Sequence, residues 1–133
     1  MNQKKAFTLV ELLAVIVVLA ILAVITVPIV INTIAEAEKG AFLSSVDSYT
    51  RAVRTEYVID SLNQKNSVTE FLITNGKVNG NTLLNNEKVD YNGIINFDLS
   101  NNSYFLMIKD KKYCAYKNYG DLKPEIVDIK KCD

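Results

Sequence analysis

The stretch from Leu12 to Ile31 carries no charged side chain, and no other feature narrows the possible folds as far. Extended back to Phe7, the apolar run has 25 residues, about 37 Å of helix at 1.5 Å per residue, against a bilayer hydrocarbon core of about 30 Å. Ahead of it lies a short polar leader, MNQKKA (1–6), whose Lys4 and Lys5 orient the segment with its N-terminus on the cytoplasmic side. A secretory signal would have an apolar core of only about 7–15 residues and a small-residue cleavage site beyond it. IVINTI (29–34) offers no such site, so the apolar segment is expected to stay in the mature protein.

One residue interrupts the run. Glu11 places a carboxylate inside an apolar segment, which costs a few kcal/mol on insertion scales unless the acid is paired. Either it lies close enough to the cytoplasmic interface to reach water, or it awaits a cation. No Lys or Arg lies within the run. The nearest candidate is a new terminal amine, made by cutting before Phe7 and belonging to a neighbouring copy.

The segment KKAFTLVELLAVIVVLAILAVITVP (4–28) resembles the class III signal of type IV prepilins: a basic leader, a small residue, Phe, Thr, Leu, a hydrophobic residue and Glu. In that family a membrane-embedded prepilin peptidase cleaves before the Phe and methylates the new amine. The resemblance implies a scissile bond between Ala6 and Phe7, N-methylation of Phe7, and Glu11 as the acid required for subunit docking. Ala6 stands where the family usually has Gly, and its side chain is small enough to fit the same peptidase. Pro28 sits where the family carries a helix-breaking proline, so the helix is expected either to kink there or to end near it.

The resemblance also implies a fold and partners. The fold is α+β: a long N-terminal helix, apolar in its first half and amphipathic in its second, packed on a small C-terminal antiparallel sheet. The partners are other pilin copies in a homopolymer, the peptidase, a membrane platform protein with its assembly ATPase, and membrane lipid before assembly. The expected function is that of a structural subunit, stored in the cytoplasmic membrane and assembled into a surface filament for adhesion, motility or biofilm formation. A composition rich in Asn, Ile, Lys and Tyr is similar to that of pilins from AT-rich Gram-positive bacteria.

Beyond the apolar run the pattern becomes amphipathic. Ala35, Phe42, Val46, Tyr49, Val53 and Tyr57 fall at three- and four-residue steps and form a stripe. A helix from Phe7 to Leu62 would have 56 residues and a length of about 84 Å. No small domain can cover that, so the half spanning 7–31 needs a bilayer or copies of itself, and the half spanning 32–62 packs on the C-terminal domain. Gly40 weakens the helix by about 1 kcal/mol relative to Ala. Residues 63–90, rich in Asn and Gly, read as a connector. Residues 91–133 read as an antiparallel meander with strands at 94–98, 104–109, 113–117 and 126–129.

Cys114 and Cys132 are the chain's two cysteines. In a chain exported past a membrane they fit a disulfide better than a metal site, the alternative being two unpaired thiols. The chain has no His, no Gly-rich phosphate loop and no zinc-type spacing, so catalytic residues, metal ligands and cofactors are not expected. Lys plus Arg and Asp plus Glu are both 15, leaving no global basic field for nucleic acid. Tyr113, Tyr116 and Tyr119 read as an aromatic patch or as ordinary packing. Asp121, Glu125, Asp128 and Asp133 are scattered acids without a calcium-loop motif. Two rivals to the filament subunit share much of the pattern. One is a pseudopilin of a type II secretion or DNA-uptake system; the other is a single-pass membrane protein that does not polymerise.

Overall fold

The computed structural model describes residues 6–63, 69–80, 90–98 and 100–133. It contains a helix α1 (Leu9–Leu62), six strands, β1 (Glu70–Thr74), β2 (Lys77–Val78), β3 (Asn92–Asp98), β4 (Ser103–Lys109), β5 (Cys114–Lys117) and β6 (Glu125–Val127), and a closing 3-10 turn, Ile129–Cys132. The chain divides into two compact units, Met1–Glu38 and Lys39–Asp133, and α1 contributes to both.

In the first unit the large apolar side chains from Leu9 to Ile34 are all exposed. The helix runs through Pro28, so the reading in which it ends there is overturned. Proline removes one amide from the ladder, whereas an end at that point would leave a whole turn of carbonyls unpaired in an apolar stretch. The two hydroxyls flanking it are satisfied within the helix, Thr26 Oγ1 donating to the Leu22 carbonyl and Thr33 Oγ1 to the Ile29 carbonyl, each at 2.9 Å. The leader lysines Lys4 and Lys5 lie outside the described residues.

In the second unit the stripe on α1 meets an antiparallel sheet of order β2-β1-β3-β4-β5-β6. Phe42, Val46, Tyr49 and Val53 are buried on the helix side, and Phe71, Ile73, Ile95, Leu106, Ile108 and Ala115 on the sheet side. β1 alternates as a half-buried strand must: Phe71 and Ile73 are buried while Glu70, Leu72 and Thr74 are exposed. Tyr57 stacks on Phe97 with centroids 5.1 Å apart, and Tyr49 meets Tyr91 edge-on at 5.5 Å.

The sheet is larger than the expected four-strand meander. β1 and β2 lie in the stretch read as a connector, and they form a hairpin with Ile73 opposite Val78. Its turn is Asn75-Gly76, with φ of 49° and 75°, the doubly left-handed geometry of a type I′ turn that asparagine and glycine adopt most readily. Tyr49 locks it from the helix, its hydroxyl donating to the Gly76 carbonyl at 2.9 Å. The last strand is shorter than expected. It ends at Val127, and Asp128 caps the 3-10 turn by accepting from the Lys130 amide at 3.0 Å.

Gly93 of β3 lies opposite Ile108 of β4, and a Cβ added there would lie 2.0 Å from the Met107 carbonyl oxygen. Because the obstruction is backbone, a side chain cannot be accommodated by a rotamer change. Gly93→Ala is therefore expected to destabilise the chain by about 3 kcal/mol or more, read as a lowered urea midpoint by circular dichroism.

Candidate functional site

The segment that carries the predicted processing chemistry begins just ahead of α1. Ala6 and Phe7 lie outside the helix, and the Phe7 side chain is 88% exposed. The peptide bond joining them is thus non-helical and two residues ahead of Leu9, in a form that an active site can reach without melting a helical turn.

Thr8 starts the helix. Its carbonyl accepts the Leu12 amide at 3.2 Å, its hydroxyl accepts the Glu11 amide at 3.3 Å, and its own amide donates to Glu11 Oε2 at 3.0 Å. These reciprocal bonds form a capping box: the N-cap side chain covers an amide in the first turn and the acid three residues on reaches back to cover the N-cap amide. The acid also sits at the positive end of the helix dipole. Sequence reasoning found Glu11 but missed Thr8, although the Thr-x-x-Glu spacing is the signature of that box. Among the described residues no cation pairs with the carboxylate, but it has a donor from its own chain.

A second site lies at the far end of the chain. Cys114 and Cys132 form a disulfide, with Cα atoms 6.1 Å apart and a sequence separation of 18, within the ordinary range for such bridges. Both are buried. Since Ala115 belongs to the core beneath α1, its neighbour Cys114 points to the opposite face of the sheet, where the 3-10 turn packs on β4 and β5. Lys109 Nζ pairs with Asp133 at 2.5 Å and fastens the same tail.

The three tyrosines do not form one patch. Tyr113 packs beside Phe42, centroids 5.7 Å apart, on the helix side, whereas Tyr116 and Tyr119 flank Phe105 at 5.5 and 6.1 Å. Three of the four acids are used locally: Asp121 accepts the Asn118 amide, Asp128 caps the 3-10 turn, and Asp133 pairs with Lys109. Among the described residues no three potential metal-binding side chains converge.

Lys117 went unnoticed in the sequence. It is 3% exposed; its ammonium donates to the Tyr104 and Asn118 carbonyls at 2.9 and 3.1 Å and lies 4.1 Å from the centre of the Tyr104 ring. Burial pushes its pKa down, the Asp121 charge pushes it up, and the Arg54 charge adds to the lowering. The amine thereby anchors the start of the cysteine-bounded segment. No periodicity marks such a lysine, because it ends a strand of only four residues.

Residues 1–27 match the family model of the prokaryotic N-terminal methylation motif, the class III signal of type IV pilins. No curated protein and no solved structure matches the chain.

The disulfide closes a loop that would otherwise be free in the unfolded chain. Reducing it is expected to lower stability by about 3 kcal/mol in the chain-entropy model. Paired denaturant titrations with and without reductant measure the difference, and alkylation of both thiols in the unreduced protein would contradict the bridge.

Proposed function

We propose that this chain, with the N-terminal methylation motif over residues 1–27, is a structural subunit of a type IV pilus. It is a prepilin-type substrate cut between Ala6 and Phe7, methylated on Phe7, held in the cytoplasmic membrane by its apolar helix and assembled into a surface filament. The observation that carries the reading is the junction of that motif with a helix whose apolar side chains from Leu9 to Ile34 are all exposed. Burying a Leu, Val or Ile contributes about 1.5–3 kcal/mol. Lipid supplies that burial for a stored subunit, and the same helices of neighbouring copies supply it in a filament.

Glu11 is the docking acid in this proposal. Before assembly its Oε2 holds the Thr8 amide, which lowers the penalty of keeping a carboxylate near lipid. Cleavage ahead of Phe7 then creates an amine at nearly the same depth on every copy. When two helices meet, the Glu11 carboxylate of one can take the Phe7 amine of the other, and only one axial register brings them together. The apolar contacts from Leu12 to Val27 discriminate far less, since a slip of one turn buries a similar area. Partners follow from this scheme: the peptidase, the platform protein with its assembly ATPase, and further copies of the chain. A pseudopilin would share every step up to assembly, and recovery of extended filaments sheared from the cell surface separates the two.

Two measurements test the reading. The mature protein is expected to begin at N-methylated Phe7, with Lys plus Arg falling from 15 to 13 as Lys4 and Lys5 are lost. Intact mass and N-terminal sequencing decide this, and a chain still starting at Met1 would refute processing. Glu11→Gln keeps the shape and removes the charge, so cleavage and insertion should persist while the ratio of surface filament to membrane-stored subunit drops at least about tenfold. An unchanged ratio would end the docking role.

A further inference from the structure

Three of the five glycines follow an asparagine: Asn75-Gly76, Asn79-Gly80 and Asn92-Gly93. At an Asn-Gly pair the glycine amide nitrogen can attack the asparagine side-chain carbon, because the glycine offers no Cβ to obstruct the approach. The attack requires that nitrogen to be free of its hydrogen bond and the peptide to rotate. The fold treats the three pairs unequally.

At Asn75-Gly76 the Gly76 amide donates to the Tyr91 carbonyl at 2.9 Å and the Gly76 carbonyl accepts from Tyr49. The Asn75 amide donates to Asn92 Oδ1 at 3.0 Å, so both peptides flanking the attack site are pinned. At Asn92-Gly93 the side-chain oxygen is occupied by that same bond, and Nδ2 donates to the Asp90 carbonyl at 3.3 Å. Gly93 is walled in between β1 and β4, the Met107 carbonyl lying where its Cβ would be.

Asn79-Gly80 differs at the attacking nitrogen, at the leaving nitrogen and in exposure, although the Asn79 amide is itself held by the Leu72 carbonyl at 2.8 Å. Both residues are exposed, nothing lies within 4 Å of the Gly80 Cβ position, and among the described residues no acceptor engages the Gly80 amide and none holds Asn79 Nδ2. The one bond to the side chain assists the reaction: the Leu72 amide donates to Asn79 Oδ1 at 3.0 Å, where it stabilises negative charge growing on that oxygen.

We propose that Asn79 is a self-modification site of the folded protein, converting through a cyclic imide to aspartate and isoaspartate. The Gly80 nitrogen bonds to Asn79 Cγ and gives its proton to a solvent base. The Cγ–Nδ2 bond breaks and the nitrogen leaves as ammonia after taking a proton from solvent. Water then adds across either imide carbonyl, leaving a carboxylate just past the edge strand β2. The isoaspartate product also lengthens the backbone at the point where the Asn79 amide pairs with the Leu72 carbonyl at 2.8 Å. Exposed copies thus gain negative charge at this edge with age.

The test is a time course of the full-length chain at mildly alkaline pH, folded in one arm and reduced and denatured in the other, with the three sites followed by peptide mass mapping. In the denatured arm the three convert at similar rates. In the folded arm Asn79 is expected to convert at least about tenfold faster than Asn75 and Asn92, whose attack must wait for local opening. Equal rates at the three sites in the folded protein, or an Asn79 that stays intact while the denatured chain converts, would overturn the proposal.

Discussion

The apolar surface of residues 9–34 has no cover within its own unit, and everything else about the chain is arranged around that deficit. A helix apolar on every side can be stable only where water is excluded, because its backbone groups are satisfied internally and its side chains are not. Thr26 and Thr33 fold their hydroxyls back onto the helix, and Glu11 is tied to Thr8. Asn32 aside, these polar groups are closed on the helix itself, which leaves most of its outer surface available to lipid or to another helix.

The second unit solves a different problem. From Phe42 to Tyr57 the helix needs a partner for one stripe only, and the sheet supplies it through alternate residues of each strand. Aromatic side chains make up much of the join, with Phe42, Tyr49 and Tyr57 of the helix against Tyr91, Tyr113 and Phe97. Beyond the sheet, the disulfide, the Lys109–Asp133 pair and the buried Lys117 fasten the tail by three separate means. A small sheet with short outer strands gains from such fastenings, because its core alone is modest.

Much of this was legible in the residues. The helix stripe was read from spacing, since Phe42, Val46, Tyr49 and Val53 repeat at the period of a helix. The strands β3, β4 and β5 were read from β-branched and aromatic runs between polar links. The hairpin of β1 and β2 is hidden, although Ile73, Asn75-Gly76 and Val78 carry a strong local turn signal: the surrounding asparagines and glycines have the composition of a loop, and a two-residue strand has no periodicity to show. At the N-terminus Glu11 stood out because a charge in an apolar run is rare, whereas Thr8 is small and unremarkable until its distance from Glu11 is counted. Lys117 was invisible for a deeper reason. Its main partner, Tyr104, comes from another strand and meets it only in the folded chain.

The capping box has a thermodynamic consequence of its own. A carboxylate that holds an amide through one oxygen keeps acceptor sites for another donor, so a cation can be taken up without breaking the cap, by a group whose position the helix has already fixed. In a helix that carries no charge from Leu12 to Ile31, this concentrates discrimination at one charged point and leaves adhesion to the apolar faces, so fidelity and strength can be altered independently by changes at different residues.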